Sequence, residues 1–114
     1  MDQIKETLTE LGLSPTEQQL YLAGLSHGPA GVRELTKKTG VQRTTAYHAL
    51  HTLVGKGLVA TAGTGARTMF TTTPPEHLEK LLTVKIALLQ EQAQAVRLIA
   101  PLLAKQMKTE TGTT

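Results

Sequence analysis

The chain has 114 residues, room for one small domain and an appendage but not for two independent cores. Hydrophobic residues make up 39% but aromatic residues only 3%, so the core must be built from Leu, Val, Ile and Ala, which favours packed helices over a sandwich or barrel. The absence of cysteine excludes disulfides and cysteine-based zinc or nucleophile chemistry, and a formal charge of +3 is compatible with a polyanionic partner without demanding one.

Ile4, Leu8 and Leu11 recur at helical spacing before Gly12 and predict a short amphipathic helix whose apolar edge packs on the next helix. Ser14-Pro15-Thr16-Glu17 combines an N-cap hydroxyl, a proline at the first helical position and a glutamate three residues after the cap, so a second helix is expected to start at Pro15. It is expected to carry Leu20, Tyr21 and Leu25 inward and to end near Ser26, where His27-Gly28-Pro29 forbids continuation.

The stretch from Gly31 to Gly40 predicts a shorter helix with Val32 and Leu35 facing in, closed by a glycine that can adopt the left-handed conformation. From about Gln42 another helix runs to Lys56, with Ala46, Leu50 and Leu53 on its buried face and Gly57 as its terminator. Two helices joined by such a turn predict a helix-turn-helix.

Leu58 to Ala62 and Arg67 to Thr72 flank Gly63-Thr64-Gly65-Ala66 and predict a two-stranded hairpin, the wing. Pro74 and Pro75 stop the second strand, and a long helix is expected from Pro75 or Glu76 to the region of Met107. Leu82, Leu89, Val96 and Leu103 recur in it every seven residues, supplemented by Leu78, Ile86, Ala93 and Ile99. Such a helix projects beyond so small a domain, and its apolar stripe predicts pairing with the same helix of a second copy, folding back on its own domain being the alternative. The dimerisation residues are Leu82, Ile86, Leu89, Ala93, Val96, Ile99 and Leu103, while Pro101 is expected to kink or end the helix nearby.

The fold class is therefore mainly α with a small β-hairpin, a winged helix-turn-helix followed by a long dimerisation helix. The expected organisation is a DNA-binding domain over residues 1–73, the long helix over 74–108 and a disordered polar tail over 109–114. With no signal-peptide pattern and no apolar run near the roughly 20 residues of a membrane span, the expected location is the cytoplasm, away from membranes.

Leu11-Gly12-Leu13-Ser14, Tyr21-Leu22-Ala23, Gly28-Pro29-Ala30, Glu34-Leu35, Gly40-Val41, Arg43, Tyr47, Leu50, Leu53 and Lys56-Gly57-Leu58-Val59, in this order, resemble the TrmB family of archaeal and bacterial transcriptional regulators. The similarity extends over roughly Ile4 to Leu103 and includes the Pro74-Pro75-Glu76 junction. It implies a winged-helix DNA-binding domain, a coiled-coil dimerisation helix and operator binding as a dimer. Full-length members commonly carry a carboxy-terminal sugar-binding domain, and this sequence stops where such a domain would begin, as in a short form or a fragment; a sugar effector is not implied by these residues.

A helix enters the major groove when its first turns present short or hydrogen-bonding side chains outward and its back is apolar. With Ala46, Leu50 and Leu53 inside, Thr44, His48 and His51 point outward and Thr45 lies on the flank. Arg43 at the boundary reaches a guanine edge or a phosphate, and Gln42 sits at the helix start, where backbone donors and the dipole favour phosphate. The recognition residues are thus Gln42, Arg43, Thr44, Thr45 and His48, although Gln42 and the threonines also suit a solvated helix start. Tyr47 reads as a packing residue with an exposed hydroxyl. Lys37 and Lys38 suit phosphate contact and equally the dipole at the end of their helix, while Arg67 is the single charge of the wing. Thr68 and Met69 stand where the family's second wing strand often has further basic residues, so wing affinity is expected to be weak.

His48 and His51 are spaced to share a metal, but no third ligand is evident, so neither a metal nor any other cofactor is expected. No Ser-His-Asp order, paired carboxylates or phosphate-binding glycine loop points to catalysis. The function expected is sequence-specific binding of double-stranded DNA by a homodimeric regulator. The alternatives are a winged-helix protein-interaction adaptor and a MarR-like regulator with a small-molecule effector, of unspecified identity, at the dimer junction.

Overall fold

The computed structural model describes residues 2–108, and the expected tail over 109–114 lies outside them. In chain order the elements are α1 (Asp2–Glu10), α2 (Pro15–His27), α3 (Val32–Thr39), α4 (Arg43–Gly55), β1 (Val59–Ala62), β2 (Met69–Thr72) and α5 (His77–Ala104). The chain divides into two compact units, one ending at Leu81 and the other beginning at Leu82. The first is a winged helix-turn-helix, as the sequence predicts.

The start of α2 is fixed by the expected capping box: the Ser14 hydroxyl accepts from the Glu17 amide at 3.2 Å and the Glu17 carboxylate accepts from the Ser14 amide at 3.0 Å. Two backbone donors that the helix itself cannot satisfy are thereby paired. The α3–α4 turn depends on Gly40, which sits at φ +77° and donates its amide to the Thr36 carbonyl at 2.7 Å. A side chain there is strained by roughly 1–2 kcal/mol, so glycine is what allows α3 to stop and α4 to begin within three residues.

The core draws on every element of this unit: Leu8, Leu13, Leu20, Tyr21, Val32, Leu35, Ala46, Ala49, Leu50, Leu53, Leu58, Val59 and Phe70 are all buried. Leu11, Leu78 and Leu81 pack against its edge. Leu25 departs from expectation. It is 41% exposed, because the inward side of α2 centres on Leu20, Tyr21 and Gly24, and Leu25 stands about 100° round the helix from Gly24. Ile4 is likewise 47% exposed, leaving Leu8 and Leu11 to anchor α1.

The wing is an antiparallel pair in which Val59 faces Thr72 and Ala62 faces Met69. It is shorter than predicted. The second strand starts at Met69, because Gly65–Arg67 form a single tight turn in which the Thr68 amide and hydroxyl both donate to the Gly65 carbonyl. Arg67 therefore belongs to the tip and not to a strand. A third segment joins the sheet at one residue, Ala30, which exchanges both backbone hydrogen bonds with Phe70 at 3.0 and 2.7 Å. Close packing between α2 and the wing is made possible by Gly24, since a Cβ at that position collides with the Thr72 hydroxyl.

A turn through Pro74–Glu76 precedes α5, which starts at His77, one or two residues after the predicted boundary. The helix passes through Pro101 and ends within a turn of it, at Ala104, somewhat short of Met107. Among the described residues no helix is long and apolar enough to cross a membrane.

Candidate nucleic-acid interface

The α4 helix divides sharply by burial. Ala46, Ala49, Leu50 and Leu53 are buried against the core, whereas Gln42, Arg43, Thr44, Thr45, His48 and His51 are exposed. This arrangement is a consequence of the 3.6-residue repeat: once the small and aliphatic side chains face inward, the polar ones at the first two turns have only the outer surface.

Gln42 is the N-cap of α4, yet its side chain makes no capping bond. The first helical hydrogen bond is the Ala46 amide to the Gln42 carbonyl at 2.8 Å, so the amides of Arg43, Thr44 and Thr45 have no acceptor within the helix. No acidic residue occupies the first turn of α4. Three outward amides, the positive end of the helix dipole and an absence of carboxylate make this end chemically suited to an anionic oxygen.

The α3–α4 segment, residues 32–55, concentrates positive charge. It contains Arg33, Lys37, Lys38 and Arg43 and the single acid Glu34, so this stretch has a formal charge equal to the +3 of the whole chain. Lys37 and Lys38 lie exposed in the last turn of α3. Only the short turn at Gly40 and Val41 separates that turn from Gln42, which keeps both groups near the same helix end. Arg67 is exposed at the wing tip.

Two features of this region are not evident from the sequence. The Arg43 guanidinium lies over the Tyr47 ring, 5.8 Å from its centroid, within the range of a cation–π contact. Tyr47 is half-buried and packs on the core edge, so it supplies a fixed surface for a long, mobile side chain. The i, i+4 spacing of the two residues makes them neighbours on the helix and so permits the contact without fixing it. The second feature is Lys56 at the end of α4, whose ammonium group donates to the Gly12 carbonyl at 2.9 Å and to the Glu17 carboxylate at 3.3 Å. It fixes the far end of α4 to the α1–α2 corner.

His48 and His51 share the exposed face of α4, and among the described residues no group of three potential metal ligands comes together. An open groove of about 560 Å³ runs between α1 and α2, lined by Ile4, Pro15, Gln18 and Leu22 among others. It involves none of the α4 residues.

Residues 8–76, more than half of the chain, match the family described as sugar-specific transcriptional regulator TrmB. No curated protein matches the sequence. Among solved structures, the chain is similar to TrmBL2, an archaeal chromatin protein described with a novel mode of DNA binding, with a TM-score of 0.75 and 24% identity over 99% of this chain and 48% of that one. The chain thus spans about half the length of that relative. A MarR family regulator from Silicibacter pomeroyi gives a TM-score of 0.57 at 19% identity, over 93% of this chain and 81% of that one. BpsR of Bordetella bronchiseptica, whose DNA binding is regulated by 6-hydroxynicotinic acid, gives 0.53 at 17% identity over 83% and 76%. At these identities the likeness carries the fold. With the family match resting on the sequence and the winged helix on the structure, the chain belongs to the TrmB family of transcriptional regulators and has their DNA-binding winged-helix fold.

Proposed function

We propose that this protein is a cytoplasmic, homodimeric regulator that reads a specific duplex DNA site with α4. The observation that carries the reading is the outer face of α4: short polar side chains and Arg43 over an apolar back, directly after the basic α3 in the segment that concentrates the chain's positive charge. Thr44, Thr45 and His48 present hydrogen-bonding groups of a size that fits base edges, and Arg43, steadied by Tyr47, reaches a guanine or a phosphate. Gln42 with the adjacent amides, Lys37 and Lys38 hold phosphates, and Arg67 on the wing approaches the minor groove or its backbone.

Dimerisation in this reading runs through α5, where Leu82, Ile86, Leu89, Ala93, Val96, Ile99 and Leu103 are all exposed in the single chain. In this reading each copy contributes one α4 helix to a half-site, and the preferred site is approximately palindromic. The protein is a DNA-binding module and carries no catalysis.

The test is selection of bound duplexes from a random pool, with particle mass measured in parallel. The reading expects an enriched motif with two related half-sites and a particle of two copies. An unenriched pool or a single-copy particle contradicts it.

A further inference from the structure

The α5 helix carries two apolar seams. The first, Leu82, Ile86, Leu89, Ala93, Val96 and Leu103, follows the four-three spacing of a coiled-coil seam, with Ala100 at the next position of that spacing; it is the set assigned above to dimerisation, whose remaining member, Ile99, lies one position to its flank. The second, Val84, Leu88, Glu91, Ala95, Leu98 and Leu102, has the same alternation and is broken by a single charge. Its large members are about as open as those of the first seam: Val84 is 68% exposed, Leu88 52%, Leu98 71% and Leu102 58%.

With seven residues in two turns, the centres of the two seams stand roughly 200° apart around the helix. Thr83, Gln90 and Arg97 separate them on one side; on the other lie Lys85 and Gln92 and, at the C-terminal end, the apolar Ile99. A two-stranded coiled coil buries one seam and returns the opposite face to water, where polar residues belong. In α5 that opposite face is aliphatic, a composition suited to a helix with a neighbour on each side.

Its occupant must be a helix that keeps the seven-residue pitch from Val84 to Leu102, a length of about 28 Å. The other helices of the domain have 9, 13, 8 and 13 residues and are too short to track the seam. The described element with the required length and period is α5 itself, in 28 residues. Glu91 sets the direction. A parallel, in-register pair stacks Glu91 on Glu91, whereas an antiparallel pair centred on the seam places Val84 beside Leu102, Leu88 beside Leu98 and Glu91 beside Ala95. Like-charge repulsion in a seam otherwise free of charge favours the antiparallel pair.

We propose that the second seam is a docking face for α5 of another pair of copies, running antiparallel, so that dimers associate side by side. The inference rests on the dimer reading above. Since the seams face away from each other, each dimer retains an unused outer seam and the association is open-ended.

Sedimentation velocity across a wide concentration range tests this, using the full chain, the double variant Leu88→Glu/Leu98→Glu and the first-seam variant Leu89→Glu, with circular dichroism confirming helix content. The wild type is expected to grow from two copies to four and beyond with concentration, the double variant to stop at two with unchanged duplex affinity, and Leu89→Glu to lose the pair. Because the chain has no cysteine, direction is read by mixing Val84→Cys chains with Leu102→Cys chains: disulfides are expected between the two kinds and not between two Val84→Cys chains. A wild type fixed at two copies, a double variant reduced to one copy, or Val84→Cys chains linking to each other overturns the proposal. A wild type that stays at one copy overturns the dimer reading as well.

Discussion

The Lys56 ammonium group bonds to the Glu17 carboxylate at 3.3 Å across 39 positions of sequence, and the same Glu17 oxygen caps α2 through the Ser14 amide at 3.0 Å. One carboxylate thus closes the start of α2 and anchors the end of α4, the helix whose other end carries the candidate interface. The pair is partly shielded, with side-chain exposures of 27% and 13%, so it is less screened than a surface ion pair. Lys56→Met is expected to lower unfolding free energy by about 1–2 kcal/mol in urea titrations. A double-mutant cycle with Glu17→Gln is expected to give a coupling of at least roughly 0.5 kcal/mol; strict additivity contradicts the linkage.

Arg43→Ala is expected to weaken binding to the selected duplex by about 1–3 kcal/mol and to relax preference at one position of each half-site. Lys38→Ala is expected to weaken all duplexes alike and to reduce the salt slope by about one. Fluorescence anisotropy over a series of salt concentrations separates the two behaviours. Tyr47→Leu, which removes the ring from beneath Arg43, is expected to reproduce part of the Arg43→Ala loss, and Tyr47→Phe to preserve affinity.

Gly24→Ala reverses the usual helix preference. In an open helix alanine is favoured over glycine by about 1 kcal/mol, but here the added methyl collides with the Thr72 hydroxyl where α2 meets the wing. Overpacking of this kind is expected to give a net loss of about 1–3 kcal/mol in thermal or urea unfolding. Adding Thr72→Ala should recover most of it, and a stabilising Gly24→Ala single variant contradicts the close approach.

Tyr21 is buried, and its hydroxyl has no hydrogen-bond partner among the described residues. Burial, with the nearby Glu76 carboxylate adding to it, pushes its ionisation above the usual value of 10.0. The native state consequently keeps a proton that the unfolded chain loses, so stability is intact below pH 10 and falls as pH rises through 10 toward the raised value. Tyr21→Phe is expected to change stability by less than about 1 kcal/mol at neutral pH and to remove that part of the alkaline loss. Urea midpoints at pH 8 and pH 11 for both proteins check it.

Much of the fold is legible in local chemistry. The capping box at Ser14, the left-handed glycine at position 40 and the hairpin are each decided by residues within a few positions of one another, and the structure contains all of them, as it does the long helix expected after Pro75. What sequence alone hides depends on distant neighbours. Leu25 has the spacing of a core residue and becomes exposed because the centre of the inward face is set by what α2 meets, not by its own pattern. The Ala30–Phe70 pairing joins single residues 40 positions apart, and Lys56 finds its acceptors on the α1–α2 corner. The outward polar set on α4 could be read from periodicity, yet the ring contact beneath Arg43 depends on the rotamers of two side chains, which periodicity does not fix. Arg67 moved from strand to tip because a three-residue turn absorbed the end of the predicted strand.

The most direct test of α4 as the reading element is a titration of isotope-labelled protein with its selected duplex, monitored through backbone amide chemical shifts. Large shifts are expected at residues 42–48, with smaller ones at Lys37, Lys38 and Arg67, and none along the groove between α1 and α2. Perturbations centred on that groove, with the α4 amides unmoved, contradict the account.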